Sequence, residues 1–400
     1  MQIKKNSRFL IFTSLGHFLN DGTLLLFSVL IVYYNEFYHV NLTFLGSMAV
    51  IFGILSGLIS PLIASYADKH DMDAFLITFG LVLLGISVVI FGLAFALTPY
   101  IYVLIGIGSI LLGFAQAFYH PLGSSILSYV YGKSSPTVLG INGAFGSIGR
   151  SAMPSIITAF ILAFGERNGL FLTALIMISI AFLVYWGLYT FKRRNFDEKL
   201  KAKKVGEKPV KVKLEPQYVK FLFILMVIVF IRAMFMSGTT TFLGEYIYRI
   251  YMSKALVGIF LTVTFLGAVV GQPFFGWVTA RKGGRYTVFL TTIVSAVLFF
   301  VFLLWKNLAF SISVYTLEVF FAMSGFPVLL GYVTQIFPPN YTARASSYIW
   351  GIGNTIGGAA GVGIMTLLLG LNLNIQISFW IMLIFGVVSA AMLPLIPKKV

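Results

Sequence analysis

AFLITFGLVLLGISVVIFGLAFAL, residues 74–97, contains no charged side chain and no proline. Wound as a helix at 1.5 Å per residue, a run of about twenty such residues crosses the ~30 Å of hydrocarbon in a bilayer. Polar and apolar residues do not alternate along it, as they would in a barrel strand of about ten residues. Lipid offers the backbone no hydrogen bonds, so a non-alternating apolar run of this length reads as a helix. Working outward, comparable runs lie at 9–36, 41–67, 100–131, 137–164, 168–191, 218–249, 255–280, 286–304, 307–337, 342–370 and 373–395. Turn signals divide them, among them Thr98-Pro99, Ser134-Ser135-Pro136, Gly283-Gly284 and Pro338-Pro339-Asn340. The expectation is an all-α membrane protein of twelve transmembrane helices.

Composition agrees. Of the 400 residues, 59% are hydrophobic and only 10% charged, and the mean hydropathy is +0.95, which leaves no room for a separate soluble domain. The first run is too long for a signal-peptide core and no small-residue cleavage site follows it, so it is expected to stay in the membrane. Cysteine is absent, which excludes disulfides, thiolate catalysis and Cys-based metal sites. The net charge of +16 could suggest nucleic acid, but its placement does not. With the N-terminus in the cytoplasm, about 22 of the Lys and Arg residues fall on the cytoplasmic side and about four outside, the positive-inside bias. No nucleic-acid partner is expected. Both termini are expected in the cytoplasm of a multi-pass plasma-membrane protein.

One long polar stretch interrupts the pattern. Residues 192–217 are Lys-rich and carry Pro209 and Pro216, and they divide a bundle at 1–191 from a second at 218–400. The two halves repeat weakly. Asn20 through Thr23 aligns with Met236 through Thr239, and Gly53-x-x-x-Gly57 with Pro61 aligns with Gly267-x-x-x-Gly271 and Pro273. Phe114-Ala115 before Pro121 matches Phe321-Ala322 before Pro327, and Asn142 through Gly149 echoes Asn354 through Gly361. Two pseudo-symmetric six-helix bundles around a midplane site are the plan of a secondary transporter.

At this level the chain resembles the major facilitator superfamily. Ala64-Ser65-Tyr66-Ala67-Asp68-Lys69 after the second run resembles that superfamily's loop signature, with Ala64 at the usual Gly position. Gly276 through Arg285 after the eighth run keeps the Gly and the basic residues but lacks the acid. More narrowly, Gly16-His17-Phe18-Leu19-Asn20-Asp21, Phe118-Tyr119-His120-Pro121 and Asn142 through Ser147 resemble the fosmidomycin-resistance efflux family. Arg150 departs from it, standing where an antiporter-type fifth helix would carry proline after Gly149. The resemblance implies a major facilitator fold with helices 1, 4, 7 and 10 lining the cavity, and a cytoplasmic gate at Asp68, Lys69 and Arg281.

Six ionisable residues sit deep in the apolar runs: His17, Asp21, His120, Arg150, Arg232 and Glu318. A charge in a bilayer core costs several kcal/mol unless paired or hydrated, so such groups are functional candidates by default. Counted from the cytoplasmic ends, Asp21 lies ~18 Å deep, His120 ~16 Å, Arg150 and Arg232 ~20 Å and Glu318 ~28 Å. His17 and Asp21 are four apart and share a helical face. An imidazole beside a carboxylate can exchange a proton near physiological pH, so Asp21, His17, His120 and Glu318 are the proton-coupling candidates. The bland alternative is a buried hydrogen-bonded pair that fixes two helices. Arg150 and Arg232 cannot shed their charge. They either clamp an anionic substrate or form internal ion pairs with Asp21 and Glu318. Protonating one acid would free an Arg for an anion. Asn20, Gln116, Tyr119 and Asn142 join the two arginines as candidates for substrate contact. Glu245 and Arg249, four apart near an outer end, read as an interfacial pair.

No phosphate-cradling loop or protease and lipase motif occurs, so neither ATP-driven transport nor enzymatic activity is expected. No metal or cofactor is called for, and a proton gradient supplies the energy. The expectation is a monomeric, proton-coupled exporter of a small anionic or amphiphilic organic compound. A symporter or facilitator importing an organic anion or sugar stays open, as does a non-transporting sensor or scaffold.

Overall fold

The computed structural model describes residues 6–193, 215–337 and 339–396, and across these the chain is helical almost throughout, with no strand. The first span consists of α1 (Ser7–Gly22), a 3-10 turn at Thr23–Leu25 and α2 (Leu26–Tyr38). Then come α3 (Leu42–His70), α4 (Asp73–Ala96), the pair α5 (Ile101–Gln116) and α6 (Tyr119–Tyr131), α7 (Ser135–Phe164) and α8 (Glu166–Leu188). After the linker follow α9 (Pro216–Tyr251), α10 (Lys254–Lys282), α11 (Gly284–Leu304), and the pair α12 (Leu308–Ala322) and α13 (Gly325–Ile336). Last come α14 (Pro339–Tyr348), a π-helical segment Ile349–Ile356, α15 (Gly357–Gly370) and α16 (Ile375–Ala391). Among the described residues, 11 segments are long and apolar enough to cross a membrane. The shorter α12, continued by α13, supplies the twelfth. The twelve-helix expectation holds. Most of the linker, 194–214, lies outside the described residues.

The two interrupted helices show how the internal repeat works physically. Proline lacks an N–H and its ring clashes with the carbonyl four residues back. For Pro121 that carbonyl belongs to Ala117, and for Pro327 to Met323. Both residues fall in the gaps between α5 and α6 and between α12 and α13. Each freed carbonyl has a new donor: Ser60 Oγ reaches Ala117 O at 3.0 Å, and Gln272 Nε2 reaches Met323 O at 3.4 Å. The matched Phe-Ala…Pro motifs thus produce the same break, met from the preceding proline-containing helix in both halves.

The chain forms two compact units, Met1–Leu24 with Ile54–Lys211, and Leu25–Gly53 with Val212–Val400. In the first, α1 packs on α7 and α8, and α4 packs on α5 and α8. Arg193, where the linker begins, grips buried Asp73 with two hydrogen bonds, Nε to Oδ2 at 2.7 Å and Nη2 to Oδ1 at 2.5 Å, and its backbone N–H donates to Asp71 Oδ1 at 2.6 Å. In the second unit, α9 is central and contacts α15, α16 and α2. Ser28 Oγ on α2 donates to Thr240 O at 2.9 Å and accepts from Gly244 N at 3.1 Å. Farther along the same seam Arg249 bonds Glu245 Oε1 at 2.6 Å, Glu36 Oε1 at 3.1 Å and Asn35 Oδ1 at 3.2 Å.

Candidate functional site

The candidate site in the first unit forms where α1 gives way to its 3-10 turn. Gly22 and the turn at Thr23–Leu25 interrupt the helix one residue past Asp21. The carbonyl of Asn20 is held there by Thr23 Oγ1 at 2.8 Å and Gln116 Nε2 at 2.7 Å. Two glycines on α7 bring that helix against α1. A Cβ on Gly149 would overlap the Phe18 carbonyl, and one on Gly146 would meet the His17 ring. Small residues allow such close backbone approach between membrane helices. The contact carries Arg150 to Asp21.

Asp21 is buried, and its carboxylate is the hub. Oδ2 receives Arg150 Nη2 at 2.8 Å. Oδ1 lies 3.2 Å from His120 Nε2, 3.5 Å from His17 Nε2 and 3.2 Å from Asn20 Nδ2. His120 is the accessible member, its side chain 54% exposed against 6% for Asp21. Here the sequence pairing of His17 with Asp21 is met, and Arg150 takes Asp21 as its anion.

Hydrogen-bond direction fixes the His17 ring. Tyr119 donates its one hydroxyl proton to Thr13 O at 2.6 Å. The hydroxyl can then only accept from Asn142, whose Nδ2 stands 3.0 Å away. That orientation turns Asn142 Oδ1 to His17 Nδ1 at 2.8 Å, so Nδ1 carries a hydrogen. In a neutral ring Nε2 would then present a lone pair to Asp21 Oδ1. The contact becomes attractive when one proton sits on His17 Nε2 or on the carboxylate. His120 Nε2, 3.2 Å from the same oxygen, offers a second place for such a hydrogen.

Ligand atoms of His17, Asp21 and His120 lie within 4.8 Å of one another. Two imidazoles and a carboxylate could offer such a spacing to a divalent cation. Arg150 already places a fixed positive charge on this carboxylate, and a second cation would be repelled.

The remaining candidates divide. Asn20, Gln116, Tyr119 and Asn142 are all buried and belong to this network, Asn20 by bonding Asp21 itself and the others through His17 or the Asn20 carbonyl. In the second unit Arg232 and Glu318 are both buried, but among the described residues they form no ion pair with each other; Arg232 Nη2 donates instead to Ala322 O at 2.6 Å. Lys69 is exposed, Arg281 stacks 4.5 Å from the Trp277 ring centroid, and the Asp68 side chain lies outside the described residues. Sequence reading missed Thr13, whose carbonyl orients Tyr119, and Glu36, which joins the Glu245–Arg249 pair. A backbone carbonyl leaves no mark in sequence, whereas Glu36 was visible as an acid at the end of the first apolar run.

A family model described as the Major Facilitator Superfamily matches residues 13–249 and 225–399. The fosmidomycin resistance protein of Escherichia coli (strain K12) is 22% identical over 339 residues, covering 81% of this chain and 78% of that protein. Among solved structures, a bacterial homolog of the human lysosomal transporter Spinster, inward-facing and occupied, superposes with a TM-score of 0.73 at 14% identity, covering 99% of this chain and 97% of that one. A nucleoside transporter, NupG, superposes with a TM-score of 0.75 at 13% identity, covering 98% and 100%. The two solved structures are of the transporter class, not enzymes. With family-model matches that run from the site-bearing α1 to the last helix, and the whole fold shared with those structures, the chain belongs to the Major Facilitator Superfamily.

Proposed function

We propose that this protein is a proton-coupled secondary transporter of the plasma membrane that exports a small anionic or amphiphilic organic compound by alternating access. The observation that carries the reading is the Asp21 cluster, with two imidazoles, His17 and His120, at one carboxylate oxygen and a permanent cation, Arg150, on the other. The Escherichia coli relative is a resistance protein, and that supports export. His17, Asp21 and His120 carry the proton, and His120, the exposed member, passes it to the water-filled side. Glu318 is the proton candidate of the second unit, opposite in charge to Arg232. Asn20, Gln116, Tyr119 and Asn142 shape the site, and Asp68, Lys69 and Arg281 serve the cytoplasmic gate. The termini and linker face the cytoplasm, the protein works as a monomer, and the proton gradient is the energy source with no bound cofactor.

The ion pair itself favours a second reading for strictly anionic substrates. An anion gains Arg150 when Asp21 is protonated, so proton and anion enter together, which is symport. An amphiphile that offers a hydrogen-bond donor or a positive group takes the ionised Asp21 instead and excludes the proton, which is antiport. The two signs are measurable. Candidate substrates are added to the purified protein in weakly buffered detergent solution and the pH is followed. Acidification marks antiport and alkalinisation marks symport. No pH change with any bound substrate, in the wild type and in Asp21→Asn alike, would overturn proton coupling at this cluster.

A further inference from the structure

We propose that a small cavity walled by α9, α11 and α13 binds a monatomic inorganic anion, chloride in the cell, between Arg232 and Thr292. The inference is independent of the proton-coupling reading and concerns a different unit.

The cavity measures about 10 Å3, room for one water molecule or one ion of similar size, and far too little for an organic substrate. Two buried polar atoms on its lining residues, Arg232 Nε and Thr292 Oγ1, have no hydrogen-bond partner among the described residues. Arg232 is 9% exposed and Thr292 2%. A helical threonine commonly bonds the carbonyl one turn back, and the adjacent Thr291 does so, with Oγ1 at 2.9 Å from Thr287 O. Thr292 keeps its hydroxyl hydrogen for another acceptor.

The third wall adds to the same sign of potential. Gly325 lines the cavity as the first residue of α13, a 12-residue helix. A Cβ there would stand 2.5 Å from Arg232 Nη1, so glycine lets the guanidinium dock at the helix start. Helix N-termini carry a partial positive charge and favour anions. The other lining side chains are hydrocarbon, such as Val229, Val288 and Leu329, and none is acidic.

Chemistry decides between a water and an anion. A water could accept from Arg232 Nε and Thr292 Oγ1, but its own two hydrogens would face hydrocarbon. It would also bring no negative charge to the guanidinium and the helix N-terminus; Glu318 acts on Arg232 through its charge but does not line the cavity. A halide accepts from every donor, has no hydrogens to place, and brings a negative charge into the cavity itself.

The test uses the full-length protein purified without halide. Thermal unfolding is followed in sodium gluconate with increasing sodium chloride or bromide at constant ionic strength. A saturable stabilisation by both halides is expected. Thr292→Val removes one hydrogen bond to the ion and should weaken apparent halide affinity roughly tenfold or more. Arg232→Met should abolish the halide effect. Should Arg232→Met fail to fold, bromide-soaked crystals of the wild type give the second readout, an anomalous peak in contact with Arg232 Nε. Absence of any halide-specific stabilisation overturns the proposal. So does a halide effect unchanged in Thr292→Val, or cavity density without bromide signal.

Discussion

Removing Asp21 tests the site most directly, because four side chains, Arg150, His17, His120 and Asn20, meet at one carboxylate. In Asp21→Asn the volume is kept and the charge is lost. Arg150 Nη2, 2.8 Å from Oδ2, then loses this anion in a largely buried position. Breaking one partner of a buried ion pair costs about 3–5 kcal/mol. The Arg150 side chain keeps 19% exposure, which lets water offset part of this, so the lower end, about 3 kcal/mol, is expected. Arg150→Met leaves Asp21 beside two imidazoles, 3.2 and 3.5 Å away, which can hold a proton in place of the guanidinium. About 1–2 kcal/mol is expected there, the cost of an unmade charge-assisted hydrogen bond. The double variant has neither buried charge, and replacing both partners is often close to neutral. Circular dichroism melting of the four proteins in detergent closes the cycle. The double variant should be more stable than Asp21→Asn alone, and near-neutral loss in it against about 3 and 1–2 kcal/mol in the singles makes the coupling energy about 4–5 kcal/mol. Additive losses would refute the claim that Arg150 and Asp21 act as a charge pair. In proteoliposomes, Asp21→Asn should also lose transport driven by a pH gradient while keeping substrate counterflow.

Three further outcomes are expected. Gly149→Ala forces a Cβ into the Phe18 carbonyl, so melting should drop by an amount typical of overpacking, about 1–3 kcal/mol, and transport should fall with it; a wild-type melting curve would mean that α1 and α7 are not held this tightly. Arg249→Ala leaves fully buried Glu245 without its cation and should cost about 3 kcal/mol, whereas Glu36→Gln, at a partly exposed acid, should cost under about 1 kcal/mol; equal losses in the two variants would contradict this ranking. In the cysteine-free background, a single Cys at Lys204 should resist an impermeant thiol reagent in intact cells and react after lysis, and labelling from outside would reverse the assigned topology.

Length and apolarity decided the spans, and both are local properties. Once a segment such as 74–97 is too apolar for water and must satisfy its own backbone in lipid, no distant residue is needed to make it helical. The breaks before Pro121 and Pro327 were equally local, since each proline disables a carbonyl four residues earlier in its own helix. Sequence also singled out His17, Asp21, His120 and Arg150, because ionisable groups stand out against hydrocarbon. Which of them meet was another matter. Arg150 had Asp21 and Glu318 as equally suitable anions, and the choice came from Gly149 and Gly146 admitting α7 to the backbone of α1. Asn142 orients His17 across 125 residues of chain, and its direction depends on a Thr13 carbonyl that carries no sequence signature. Arg232 was open to pairing with Glu318 by charge, yet its guanidinium turns to the Ala322 carbonyl and to a cavity that sequence could not outline. Hydrophobic transfer is additive along the chain and can be read residue by residue. Pairing between buried polar groups depends on close approach between helices far apart in sequence, and only the packed tertiary structure sets that distance.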